Sequence, residues 1–197
     1  MIFRRTFTAF FICLMVYGCN SSSDIERYQE LISSELNTGI KKDSIFLELK
    51  LGMTVTSFYE YCWKMNAKKL FQNSHDNNAV VYQVNRGLPS AATFRFTPEF
   101  HKDKLYKISV NASYNAFAPW NQHLYADSLQ KDLIHLFDTW YGPKNYLILK
   151  NQMDGNSLIK IDGNREIRMK KMTEKDIRIE YTDLSSEKLF HANRSSS

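Results

Sequence analysis

The groups of this chain that could do chemistry are five histidines, three cysteines and scattered carboxylates. Their spacing argues against most reactions. No His-Glu-x-x-His pair is present to hold zinc from one helix face. His123 and His135 lie twelve residues apart, about three helical turns, so a shared metal would need ligands from elsewhere. Asp132 and His135 are i, i+3 neighbours, suited to a carboxylate–imidazole pair, although a solvated surface pair is the simpler reading. His75 and Asp76 fall in the polar run Asn73–Asn78. No Gly-x-Ser-x-Gly elbow occurs, and seven glycines are too scattered for a phosphate cradle. Asp154-Gly155-Asn156 and Asp162-Gly163-Asn164 do not extend into a calcium-loop pattern and read as turns. No metal or cofactor is expected. The chain reads as non-catalytic, with a hydrolase whose groups converge from separate elements as the alternative.

Of the cysteines, only Cys62 lies in the body of the chain, so no internal disulfide is expected there. Cys62 could attack as a thiolate beside a distant histidine. It shares an apolar helical stripe with Phe58 and Trp63, however, and a buried structural thiol is the better reading.

Cys19 has a different context. Arg4 and Arg5 precede an apolar run of about 13 residues, the layout of a secretory signal. A bilayer-spanning helix needs about 20. Val16-Tyr17-Gly18-Cys19 resembles the bacterial lipobox, in which a small residue precedes an invariant cysteine; Tyr17 departs from the small or hydroxyl residue commoner there. The resemblance implies a lipoprotein signal peptide over 1–18, diacylglycerol on the Cys19 thiol, and an acyl chain such as palmitate on its new amino group. Residues 19–23 then read as a tether. An uncleaved apolar anchor is the alternative, with the same membrane location. Asn20 is not the Asp that resembles an inner-membrane retention signal, so the outer membrane is preferred, on its periplasmic or its surface-exposed face. Ser22-Ser23-Asp24-Ile25-Glu26 resembles the short acidic tether that sends some lipoproteins to the cell surface.

Beyond the leader, the composition is that of one globular domain, with 14% aromatics and only 7 Gly and 4 Pro. The net charge of +5 includes Arg4 and Arg5. Elsewhere Lys and Arg alternate with Asp and Glu, as in Lys170–Asp176. No nucleic-acid partner is expected. The aromatics are the remaining resource. Trp63 and Trp140 fit helix core faces. Tyr114, Phe117 and Trp120 cluster at the loop Asn115–Asn121, where exposed rings could bind protein or stack on sugar, or else pack over the end of a sheet.

Regular elements must position these groups. Residues 24–36 read as an amphipathic helix capped by Ser23, with Ile25, Tyr28, Leu31, Ile32 and Leu36 on one face. Ile45–Lys50 reads as a short strand. Thr54 caps a helix over 55–66 whose stripe is Val55, Phe58, Tyr59, Cys62 and Trp63. Strands follow at 79–84, 92–97 and 105–110, with a hairpin loop at His101–Lys104. A second long helix spans 122–141, with Ala126, Leu129, Leu133, Leu136, Phe137 and Trp140 inward, and Gly142-Pro143 ending it. Strands return at 146–150, 157–161, 165–169 and 176–181. The globular domain therefore spans 24–190, followed by a disordered tail at 191–197. Its class is α+β, an antiparallel sheet with helices packed on one face. The element order admits two tandem helix-plus-meander units, with halves at 45–113 and 122–182.

Leu51-Gly52-Met53-Thr54 before an amphipathic helix resembles the start of SmpA/OmlA-like domains, as does Tyr141-Gly142-Pro143 where a helix gives way to a strand. The resemblance covers roughly 48–66, extended by element order to 182. It implies a pair of helices on a three-stranded antiparallel sheet, doubled in the β-lactamase-inhibitor protein, and action by binding proteins. The expectation is thus a lipid-anchored envelope protein that binds another envelope protein, with glycan or peptidoglycan binding through the aromatic loop as the alternative.

Overall fold

The computed structural model describes residues 21–74, 79–151 and 155–186, with side chains from residue 24 onward. The expected signal peptide at 1–18, Cys19, His75, Asp76, Asp154 and the expected tail at 191–197 lie outside the described residues.

Two helix-plus-meander units share one sheet. In the first, α2 (Val55–Ala67) leads into β1 (Phe71–Asn73), β2 (Val80–Val84), β3 (Ala92–His101) and β4 (Lys104–Tyr114). In the second, α3 (Ala126–Tyr141) leads into β5 (Leu147–Leu149), β6 (Ser157–Asp162), β7 (Arg165–Lys171) and β8 (Ile177–Asp183). Both meanders are antiparallel, and β4 pairs antiparallel with β8. The result is a single eight-stranded sheet ordered β1-β2-β3-β4-β8-β7-β6-β5. Each unit thus has one helix and four strands, where the family resemblance implies a helix pair and three strands. The edge strands β1 and β5 have three residues each, which limits edge-to-edge association.

Local chemistry explains the boundaries. Thr54 Oγ1 accepts from the Ser57 backbone N–H at 3.1 Å and starts α2. Lys102 and Asp103 adopt φ of 46° and 63°, as a type I′ hairpin turn between β3 and β4 requires. Gly142, at φ 87°, ends α3. That helix begins later than expected because Tyr125 is extended, so Gln122–Leu124 forms a separate 3₁₀ turn. Strand β1 was not expected; at three residues it offers almost no alternation.

Strand alternation sends Phe94, Phe96, Ile108, Val110, Ile167, Met169, Ile177 and Ile179 to one face. There α2 contributes Phe58, Cys62 and Met65, and α3 contributes Leu129, Leu133, Leu136 and Phe137. Residues Ile45–Lys50, expected as a strand, instead form a tight loop that plugs this core. Leu47 turns at φ 54° and is exposed, and the Ile45 N–H donates to the Leu49 carbonyl at 2.9 Å. Phe46 is buried between the two units, 5.1 Å from the Phe96 ring and 5.9 Å from the Tyr181 ring. Burying a Phe of this kind contributes roughly 2–3 kcal/mol.

Helix α1 (Ser21–Asn37) lies on the opposite face, at the β5–β6–β7 end. Its start at Ser21 places Ser23 inside the helix rather than at the cap, and shortens the expected tether. Tyr28, Leu31, Ile32 and Leu36 pack on Leu147, Ile159, Ile161 and Leu184, while Ile25 is exposed. Polar contacts fasten both ends of this packing. The Tyr28 hydroxyl donates to Glu166 at 2.5 Å, and Arg168 donates to both Glu166 and Tyr28, each at 2.9 Å. Glu35 accepts from Lys144 at 2.5 Å and from the Gly163 N–H at 2.9 Å. Burial opposes the charge on Glu35, yet these two donors hold its carboxyl below the usual value.

Candidate functional site

The chain's potential reactive groups are dispersed or enclosed. Cys62 is buried on α2, and burial pushes its thiol up to about 11, which leaves it un-ionised near neutrality. Asp132 accepts from the Tyr114 hydroxyl at 2.6 Å, and His135 is exposed. His123 sits in the 3₁₀ turn. Among the described residues no group of three or more His, Cys, Asp or Glu is placed to hold a metal. The Asp162-Gly163-Asn164 sequence is a structural turn: Asp162 accepts from Arg165 at 3.2 Å, and Asn164 bonds Lys42, Asp43 and Asp183.

The aromatic trio does not form one surface. Tyr114 is a core residue, 1% exposed, because the last strand-face position of β4 points under α3. Phe117 leans on Tyr125 with ring centroids 5.3 Å apart, and the Tyr125 hydroxyl donates to the Pro119 carbonyl at 2.5 Å. Only Trp120 stands in solvent, at 87% exposure. A second exposed tryptophan was missed. Trp63, expected in the core, is 82% exposed, because α2 turns Phe58, Cys62 and Met65 to the sheet and leaves Tyr59 and Trp63 outside. Trp140 is partly buried against the core, as its spacing predicts.

An extended ordered surface is the sheet face opposite α2 and α3. Past α1 and the helical residues 184–186, whose Leu184 packs beside it, no other described helix covers it. Register aligns its side chains in rows. One row runs Val81, Arg95, Asn111, Arg178, Lys170, Ser157 and Leu149 across β2, β3, β4, β8, β7, β6 and β5. A second runs Thr97, Ser109, Glu180 and Arg168. The charges are ordered by their neighbours. Lys107 lies 3.3 Å from Glu180 and 3.7 Å from Glu99, and the Arg178 Nε donates to Asn111 at 2.8 Å. Gln83, Thr93 and Asn115 form a bonded cluster at the other end. Beside α1 the face dips into a groove of about 360 Å³ lined by Arg168, Lys170, Arg178, Glu180, Ser157 and Leu149.

These residues were legible as the polar half of alternating strands. Their convergence was not, because Lys170 and Arg178 meet only through the β7–β8 register.

Fold and surface together define the class: an α+β protein of two helix-plus-meander units with one sheet face that the described residues leave largely uncovered. No family model matches the chain, and no curated protein or solved structure matches it. Among the described residues no helix is long and apolar enough to cross a membrane.

Proposed function

We propose that this protein is a bacterial cell-envelope lipoprotein, held on the outer membrane by acyl chains on Cys19, that binds another envelope protein through its bare sheet face. The observation that carries the binding role is that face itself. Charged and amide side chains, Arg95, Asn111, Arg178 and Lys170, line up across β3, β4, β8 and β7, and among the described residues no layer covers them there. Pre-ordered charges of both signs suit recognition of a complementary protein surface, since they steer encounter and reject mismatched partners. A fixed sheet also loses little conformational freedom on binding. The tandem order of the two units is in keeping with the doubling that the resemblance named above implies, although each unit has one helix and four strands. The lipobox supports the anchor.

Two experiments test the parts separately. Metabolic labelling with a fatty-acid probe should mark the wild type and not Cys19→Ser; equal labelling of both would remove the anchor. A photocrosslinking residue at Asn111, which is exposed, should capture one partner in intact cells, and Arg95→Glu with Lys107→Glu should abolish that capture. Recovery of nothing beyond this protein itself would sink the binding role.

A glycan-binding reading rests on the exposure of Trp120 alone. It predicts that Trp120→Ala loses retention on cell-wall polymer while the sheet-face variants keep it.

A further inference from the structure

Three residues in the middle of the sheet face form a row whose remaining hydrogen-bonding capacity is that of a donor. Register sets Arg95, Asn111 and Arg178 side by side across β3, β4 and β8. A guanidinium carries N–H donors and no acceptor. The Arg178 Nε donates to the Asn111 Oδ1 at 2.8 Å. That bond turns the amide oxygen toward Arg178 and leaves the Asn111 Nδ2 and the terminal nitrogens of Arg178 to donate. Arg95 is exposed, and among the described residues its side chain bonds nothing. Gln83, beside Thr93 in the same face, has the same polarity. Its Oε1 accepts from Thr93 at 3.1 Å and from Asn115 at 2.9 Å, so its Nε2 is the part left over. Thr97 and Ser109, next along β3 and β4, carry hydroxyls, which donate as well as accept.

Charge follows the same pattern. The residues that flank the row on β3 and β4, Thr93, Thr97, Ser109 and Ser113, are neutral. Among the described residues neither Arg95 nor Arg178 is ion-paired. Further along the same face, Glu99 and Glu180 stand 3.7 and 3.3 Å from the single ammonium of Lys107. A long polyanion laid on this face would meet those two carboxylates. A protein surface, whose charges come in patches of either sign, can set its acidic groups over the arginines alone.

We propose that Arg95 and Arg178 each receive a carboxylate of the partner, so that the protein bound here presents an acidic patch to the sheet. This rests on the reading that the face binds another protein. Two strand spacings of about 4.8 Å separate the arginine positions, so the patch holds Asp or Glu side chains about 10 Å apart. A guanidinium takes a carboxylate through two parallel N–H bonds. Arg178 is steadied for this by its bond to Asn111, whose Nδ2 adds a donor between the two pairs. An exposed ion pair contributes up to about a fivefold gain in affinity.

The test is fluorescence anisotropy of the full chain titrated into labelled hexaglutamate at low salt, with a labelled linear polyphosphate as the second probe. Arg95→Gln with Arg178→Gln should weaken hexaglutamate binding about tenfold, and Arg95→Gln alone about threefold. The single variant serves if the double variant does not fold, because Arg95 is exposed. Lys64→Gln with Lys68→Gln removes two exposed cations at α2, on the other side of the sheet, and should leave binding unchanged. Equal loss in that control, or no loss in the arginine variants, overturns the proposal. So does polyphosphate binding that the arginine variants weaken as much, which would make the row a phosphate site. Photocapture at Asn111 in intact cells separates this proposal from the reading beneath it. Capture undiminished by Arg95→Gln with Arg178→Gln overturns the acidic contact and leaves the binding role standing. Arginine-dependent hexaglutamate binding without capture by the wild type sinks the envelope partner and upholds the row as a carboxylate site.

Discussion

Lys160 is the most enclosed charge in the described fold, and it makes a sharp prediction about the second unit. Its side chain is 1% exposed, on the core face of β6, while that of its partner Asp138 on α3 is 33% exposed. Lys160 Nζ donates to Asp138 at 2.7 Å and to the Gly142 carbonyl at 2.6 Å, and lies 5.2 Å from the Tyr146 ring centroid. The two partners should not be equally costly to remove. Asp138→Ala strands a buried ammonium. Breaking a buried pair in this way costs about 3–5 kcal/mol, reduced to about 2–4 kcal/mol here because water already reaches the carboxylate. Lys160→Met removes the charge together with its desolvation cost, fills the same volume and leaves Asp138 able to hydrate, so its cost should stay within about 1.5 kcal/mol. At about 2–4 °C per kcal/mol for a domain of this size, Asp138→Ala should lower Tm by roughly 5–15 °C and Lys160→Met by only a few degrees. Adding Lys160→Met to Asp138→Ala should restore most of the loss. Urea and thermal unfolding of the three variants, followed by far-ultraviolet circular dichroism, decide the matter. If Lys160→Met costs as much as Asp138→Ala, or fails to rescue it, the desolvation argument is wrong.

Gly163→Ala should loosen the α1 end of the molecule. A Cβ there meets the Ile40 carbonyl, and φ is 59°, so a cost of about 1–3 kcal/mol and faster proteolysis between α1 and α2 are expected. Phe46→Ala should cost about 3–5 kcal/mol in urea unfolding, since the ring sits between both units. For Cys62 the folded thiol titrates near 11 against an ordinary value of 9.0. The unfolded chain then ionises first as pH rises, so stability present below about pH 9 should fall between pH 9 and 11. Cys62→Ala should remove that slope, and native Cys62 should resist iodoacetamide at pH 8 until the chain is unfolded.

Long periodic stretches were the legible part of the fold. The α3 stripe from Ala126 to Phe137 and the alternation in β3, β4, β7 and β8 depend only on which side chains must leave water, and they appear as expected. The α+β class followed. Ile45–Lys50 misled because Ile45, Leu47 and Leu49 alternate like a strand. In the structure Leu47 is outside and Phe46 inside, because the loop answers to an aromatic cavity between units rather than to a pleat. Trp63 misled because α2 packs near the sheet edge, where there is room for a narrower stripe than the sequence offers. For the candidate site, the strands at 165–169 and 176–181 that carry Arg168 and Arg178 were legible. What sequence alone could not supply was the pairing that makes them neighbours, or which half of the face α1 covers.

The seam between β4 and β8 has a consequence for how the chain reaches this shape. Arg178 and Asn111, bonded across it, are 67 residues apart. During synthesis the amino-terminal unit emerges first. Its longest strand, β4, then waits as an open edge until the final strand of the second unit arrives. Non-local pairings of this kind close slowly, and an unpaired edge is a template for the wrong chain. The intermediate with β4 uncovered is therefore the species most exposed to aggregation and most in need of a holding chaperone. Shielding ends only when the last seven-residue strand, Ile177–Asp183, locks in.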